Sequence, residues 1–380
     1  MSTAPLKVSA SINATARQRS AVESRPGAVS LKSNGCVLDR APEKFGRFVN
    51  SMPDLEDAAT LRARMDKDGY LFFRGLLDKG VLERLRSRIV VELERLDVLD
   101  VERRQADDHL PAKAGVNLYG IVPGLDAPTV KAVVHQQPLL DLFGRLFGEK
   151  ARALDYSWPR VAGPGRSEST HADWVYLCRG TPRIYTTWIP LMDVPLTKGP
   201  LMILEGSHNE NDHTRKYLTM DADALRPLEE VRFKHGRLIR GGRYSARPHR
   251  VQKDFGTRWL SEDFKLGDVV IFSTRGLHAT LDNQTDTFRT SIDVRFQPAS
   301  EPADPRFVGV NPVAHTLRPV TLFDRASDLR QRILTAMWPS RGRKAFVPQA
   351  QRIAQAAASH RGVDTAEASI PELAPELPSR

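Results

Sequence analysis

The stretch Thr287-Phe288-Arg289-Thr290-Ser291-Ile292-Asp293-Val294-Arg295-Phe296 alternates residue by residue. Successive side chains of a strand point to opposite faces. Ile292, Val294 and Phe296 therefore share one face, and Arg289, Ser291, Asp293 and Arg295 share the other. A second face bearing arginine and serine either meets water or lines a polar pocket. Just upstream, Leu266-Gly267-Asp268 is a turn, and Val269-Val270-Ile271-Phe272 is a buried strand that delivers His278. Working back to about residue 151, short apolar runs alternate with Gly, Pro and Asp turns. Strands are expected over 151–161, 170–177, 182–190, 200–204, 268–273 and 287–297. That spacing points to an all-β sandwich or barrel rather than to βαβ units.

The N-terminal half reads differently. Residues 1–45 are polar and aperiodic and are expected to form a tail. Met52-Pro53 opens a helix whose Leu55, Ala58, Leu61 and Met65 keep helical spacing up to Gly69, where a C-terminal glycine is expected. A short buried strand, Tyr70-Leu71-Phe72-Phe73, follows. Asp78 caps a second helix with Leu82, Leu85, Ile89, Leu93 and Leu96 on one stripe. Residues 127–147 read as helix interrupted at Pro138 and ended by Gly148. The expected organisation is a helical scaffold over 46–150 and a barrel over 151–300. Beyond it come an extension over 301–349 with a helix at 324–337, and a tail over 350–380.

Between Ser207 and Gly267 an insertion, 208–266, is expected. Its 231–253 segment carries eight Lys and Arg residues, among them Arg240, Arg243 and Arg247, and no acid. A run of charge is usually a solvated loop. It can also be a lid that turns those three arginines toward an anionic substrate. Both readings stand at this point.

Composition narrows the classes. The chain has 380 residues, 41% of them hydrophobic, which suffices for a real core. No apolar run is long enough to span a membrane. The two cysteines, Cys36 and Cys178, suggest neither a disulfide framework nor a zinc site. A cytoplasmic setting is expected; the acid-free residues 1–22 keep a mitochondrial address as the alternative. The formal charge of +10 favours anionic partners. Its spread over scattered arginines argues against a nucleic-acid module. Nothing in the pattern sets an oligomeric state.

The chemistry gathers on Ser169-Thr170-His171-Ala172-Asp173-Trp174. On a strand, His171 and Asp173 would project from one face. With His278 they make two histidines and one carboxylate, the facial triad that holds non-haem Fe(II) and leaves other positions open. A co-substrate such as 2-oxoglutarate chelates iron through its keto acid, and its far carboxylate then needs a buried cation. Arginine suits this best, through its planar fork. His208, His235 and His249 read as structural or surface residues. Trp158, Trp174 and Trp259 read as packing.

In this order, His171-x-Asp173, His278 and Arg289 resemble the phytanoyl-CoA dioxygenase-like branch of the 2-oxoglutarate oxygenases. Gly69–Leu76, Trp188–Asp193, the Gly206-Ser207-His208 turn and Gly267-Asp268 resemble further pieces of that family, so the likeness runs over about 60–300. It implies a double-stranded β-helix, a jelly-roll, cupin-like barrel with flanking helices. It implies iron at His171, Asp173 and His278, with no separate acid or base. It implies 2-oxoglutarate held by Arg289 with Ser291, Thr280 and Trp188, and dioxygen as oxidant with ascorbate as a stimulant. The carboxylate of Asp173, which halogenating relatives lack, implies hydroxylation or a related oxidation. The expected activity is oxidation of a small or medium anionic metabolite, with succinate and carbon dioxide as co-products. A non-catalytic jelly-roll binding protein and a nucleic-acid demethylase are the alternatives.

Overall fold

Two sheets carry the architecture, antiparallel throughout except for the parallel edge pair Trp259–Ser261 and Phe45–Arg47. The computed structural model describes residues 30–316 except 117, 123–124, 126, 224–232, 235–236, 239–241, 311 and 313. The larger sheet has the strand order Tyr70–Phe73, Val269–Ser273, Tyr185–Pro190, Arg289–Pro298, Trp158–Ala162, Tyr119–Ile121, with Ala151–Ala153 also pairing Arg289–Pro298. The smaller sheet runs Arg243–Ser245, Thr170–His171, His278–Thr280, Leu201–Leu204, Trp259–Ser261, Phe45–Arg47. Among the described residues no strand pairing joins the two sheets. The double-stranded β-helix is thus two facing halves and not a closed barrel.

The alternation in Arg289–Pro298 sorts its two faces as expected. Ile292, Val294 and Phe296 join the main apolar core with Leu82, Leu85, Ile89, Leu142 and Phe143 from the helices. Phe143 stacks on Phe296 with ring centroids 4.1 Å apart. Each such buried side chain contributes on the order of 1.5–3 kcal/mol. The helices that supply this cover are locally well specified. Asp57 caps Ala58–Asp68 by accepting from the Ala59 and Thr60 amides, and Gly69 ends that helix at φ 75. Asp78 accepts from the Val81 amide to start Lys79–Arg95. The expected 127–147 helix is two, Ala127–Val134 and Gln137–Phe147, because Pro138 begins a new first turn. The other face of Arg289–Pro298 looks between the sheets.

Four expectations differ from the structure. Met52–Asp54 is a separate single turn, and the first helix starts only after the Asp57 cap. The tail expected over 1–45 does not extend through its described part. There Asn34 and Gly35, at φ 50 and 73, turn Lys32–Ser33 back onto Cys36–Val37, and Leu31 and Leu38 are buried beside Trp259 and Ala172. Asn-Gly is the strongest short hairpin signal a sequence carries. The strand expected over 170–177 ends at His171, and Trp174–Leu177 is a helical turn. The stretch 208–266 contributes Arg243–Ser245 and Trp259–Ser261 to the smaller sheet, so part of it belongs to the sandwich. The helix expected over 324–337 and the tail over 350–380 lie outside the described residues.

Candidate active site

The smaller sheet places the two histidines. His278 stands directly opposite His171 in register, and directly opposed residues share a face. Their rings lie 4.2 Å apart between centroids. Asp173 arrives by another route than strand alternation. Its backbone turns helical at φ −65, ψ −26, and its side chain makes no capping bond although it precedes a helical turn. The Trp174 amide donates to the Thr274 carbonyl at 2.8 Å, which fixes that turn. The carboxylate is thereby free to point between the sheets.

The result is a cluster of three potential ligand atoms within 4.8 Å of one another, on His171, Asp173 and His278. Asp173 Oδ1 is 3.6 Å from His171 Nε2 and 3.8 Å from His278 Nε2. Nδ1 of His171 lies 2.8 Å from the Ser169 carbonyl, and Nδ1 of His278 lies 3.1 Å from the Gly276 carbonyl. A carbonyl can only accept, so each Nδ1 carries the proton, and in the neutral ring Nε2 keeps its lone pair. Two neutral imidazole nitrogens and one carboxylate oxygen fit a divalent iron and leave positions open. The other carboxylate oxygen is taken: Asp173 Oδ2 accepts from Thr186 Oγ1 at 2.6 Å and from Arg295 Nη2 at 2.7 Å.

Charge follows from this packing. Burial alone would push the Asp173 carboxyl up, but Arg295, His278 and His171 more than reverse it and hold it well below the usual carboxylate range. Burial, then the neighbouring His171, brings His278 down to about 4. Burial also opposes charge on His171, yet its bond to Asp173 and the nearby Glu168 leave its pKa raised.

Arg289 lies deeper in the same cavity, 1% exposed. Its Nη1 donates to Ser291 Oγ at 3.0 Å, while Nε finds no partner. The guanidinium carbon is 6.0 Å from the Trp188 ring centroid. Burial pushes its pKa down, but a guanidinium remains cationic. The neighbouring cavity arginines are each matched: Arg160 bonds Asp293, and Arg295 bonds Asp173. Among the described residues Arg289 makes no such bond to a carboxylate, so it could hold one from a ligand. Thr280 and Trp188 line the same cavity. Thr280 Oγ1 is spent locally, accepting from the Glu168 amide at 2.7 Å.

The three arginines of the basic segment part company. Arg243 pairs in register with His171, and its guanidinium reaches within 4.0 Å of Glu168 at the cavity wall. Arg247 is exposed ahead of Pro248–Phe255 and lines no part of the cavity. Arg240 lies outside the described residues. His208 is structural, with Nε2 3.0 Å from the Asp66 carbonyl. Trp259 is fully buried and donates Nε1 to the Pro248 carbonyl at 3.2 Å. Trp158 does more than fill space, because Arg295 stacks over its ring at 4.0 Å.

Sequence reading gave no role to Thr186, Arg295, Arg160, Tyr119 or Glu168. Arg295 did carry a signal, its place on the polar face with Arg289. Tyr119 bonds Glu168, and burial followed by that carboxylate pushes its pKa up, so its hydroxyl stays a donor. Nothing local in the sequence announced that pair.

A family model described as phytanoyl-CoA dioxygenase (PhyH) matches residues 65–291. The 1-deoxypentalenic acid 11-beta-hydroxylase of Streptomyces arenae is 24% identical over 280 residues, covering 68% of this chain and 87% of that protein. Its counterpart from Streptomyces exfoliatus is 25% identical over 276 residues, covering 67% and 86%. Among solved structures, the epimerase SnoN in complex with Fe3+, alpha ketoglutarate and nogalamycin RO matches with a TM-score of 0.43 and 17% identity, over 68% of this chain and 93% of that one.

Proposed function

The chain belongs to the phytanoyl-CoA dioxygenase family and is an iron- and 2-oxoglutarate-dependent oxygenase; on that premise we propose that His171, Asp173 and His278 hold the iron and that Arg289 anchors 2-oxoglutarate. The observation that carries the assignment is the convergence of the two Nε2 atoms on Asp173 Oδ1, with both Nδ1 atoms committed to carbonyls. Bound there, iron with 2-oxoglutarate and dioxygen supplies the oxidising power to break a substrate C–H bond, with succinate and carbon dioxide as co-products.

The residues of the chain supply the rest. The Ser169 and Gly276 carbonyls fix both imidazoles in the tautomer that presents Nε2. Arg289, assisted by Ser291, offers the far carboxylate of the co-substrate a cation in a dry setting, where a charge-assisted pair is strong. Trp188 and Phe272 line the cavity and exclude water; the Phe272 ring lies 4.7 Å from that of His278. Asp293 holds Arg160 aside, which leaves Arg289 as the cation open to the ligand.

The substrate we propose is a small or medium organic acid, such as a natural-product intermediate. Arg243 supports this, standing half-exposed beside His171 where a substrate carboxylate can meet it. The Streptomyces relatives, named as hydroxylases of 1-deoxypentalenic acid, are in keeping with that class. The test is a panel of lipophilic carboxylic acids and their methyl esters, screened for substrate-dependent succinate release. Acids that turn over while their esters do not are the expected result. Turnover of neutral molecules in preference to acids would overturn the anionic assignment.

A further inference from the structure

We propose that Arg295, working with Thr186, is a positioning residue that keeps Asp173 a one-oxygen metal ligand. The proposal rests on the metal-binding reading of the site given above. A free carboxylate can bind a metal through one oxygen or both. Binding through both would occupy a position that the co-substrate or dioxygen needs. In this chain the choice is made in advance. Asp173 Oδ2 accepts from Arg295 Nη2 at 2.7 Å and from Thr186 Oγ1 at 2.6 Å, and Oδ1 alone faces the two histidines.

The two donors are set by the larger sheet, not by the loop that carries Asp173. Arg295 and Thr186 are directly opposed across the strands Arg289–Pro298 and Tyr185–Pro190, so they share the inner face. Arg295 is itself held in place, its guanidinium lying 4.0 Å from the Trp158 ring centroid. Its Nε and Nη1 find no hydrogen-bond partner, and it is 3% exposed. A buried guanidinium that leaves two nitrogens unbonded is costly to keep. Its committed contacts are the Trp158 ring and Asp173. Asp173 sits on a turn at the end of a two-residue strand, so a rigid sheet holds a carboxylate that its own backbone holds less firmly.

The test uses the full chain and cobalt(II) as probe metal, read by calorimetry and by visible d–d absorption. The variants are Arg295→Met, Arg295→Lys and Thr186→Val. Partners that orient a metal ligand are typically worth about 10–100-fold in affinity. Arg295→Met should lose that much, with an altered d–d spectrum reporting changed coordination. Arg295→Lys should fall between it and the wild type, and Thr186→Val should shift the spectrum in the same direction. If Arg295→Met does not fold, the other two variants still decide. Wild-type affinity and spectrum in folded Arg295→Lys and Thr186→Val would overturn the proposal and assign Arg295 a purely structural role. A wild type that binds no cobalt(II) would instead remove the metal site itself, a separate outcome.

Discussion

Arg289→Met should separate what this residue costs the fold from what it gives the site. Arg289 is 1% exposed. It donates Nη1 to Ser291 and leaves Nε without a partner. Methionine replaces the aliphatic stem, needs no partner, and gives up one hydrogen bond worth about 1 kcal/mol. Exchanging buried charge for well-packed apolar volume is often neutral or stabilising, by about 1–4 kcal/mol. The ligand-free variant should therefore melt at or above the wild-type temperature. Binding should move the other way. Charge-assisted bonds to the 2-oxoglutarate carboxylate, at about 1.5–3 kcal/mol each and not fully additive, total roughly 3–4 kcal/mol. At tenfold per 1.4 kcal/mol, the Kd for 2-oxoglutarate should rise about 10²–10³-fold. The assay is thermal melting with manganese(II), with and without 2-oxoglutarate. A ligand at a hundred times its Kd adds about 2.7 kcal/mol, which raises Tm by roughly 5–10 °C for a domain of this size. Wild type should show that rise and Arg289→Met should not. A variant that melts well below wild type without ligand, yet keeps the ligand-induced rise, would refute the reasoning.

Metal binding should release close to one proton at mildly acidic pH, because His171 is raised above its ordinary pKa while His278, brought down to about 4, is already neutral. Only the deprotonated imidazole is a ligand, so affinity should weaken as pH falls through the His171 pKa; calorimetry in buffers of different ionisation enthalpy reads the proton count. Gly69→Ala should destabilise by about 1–2 kcal/mol from its left-handed backbone alone. At φ 75 its new Cβ would also run into the His208 ring, and urea unfolding checks the loss. Arg243→Ser should raise the KM for an acidic substrate about fivefold, since a half-exposed charge contact is worth roughly 1 kcal/mol, and should leave 2-oxoglutarate binding unchanged in steady-state kinetics.

What could be read in advance, and what could not, follows the range over which each signal acts. Alternation in Thr287–Phe296 is local, and it alone puts Arg289, Ser291 and Arg295 on one face. Gly69 and Gly148 end their helices in the left-handed conformation, as glycine there predicts. His171 and Asp173 meet through a turn and not through strand alternation, because the strand stops at His171 and the turn carries the carboxylate inward. Two residues of strand leave no periodicity to read. Trp259–Ser261 was hidden for a similar reason: it is three residues long and flanked by the charges of Arg258 and Glu262. The links from Thr186 and Arg295 to Asp173, and from Tyr119 to Glu168, join distant parts of the chain. Only the sheet registers bring them together, and registers are not written in any one segment.

The central claim is that one cavity holds iron through His171, Asp173 and His278 and 2-oxoglutarate through Arg289. Anaerobic titration of the metal-free protein with Fe(II) and 2-oxoglutarate, followed by the visible charge-transfer band of the chelate, tests it most directly. The account predicts a band in wild type that is absent in His171→Ala and that needs far more 2-oxoglutarate in Arg289→Met. An iron-loaded wild type with no band at saturating 2-oxoglutarate, or a band that survives in His171→Ala, would contradict it.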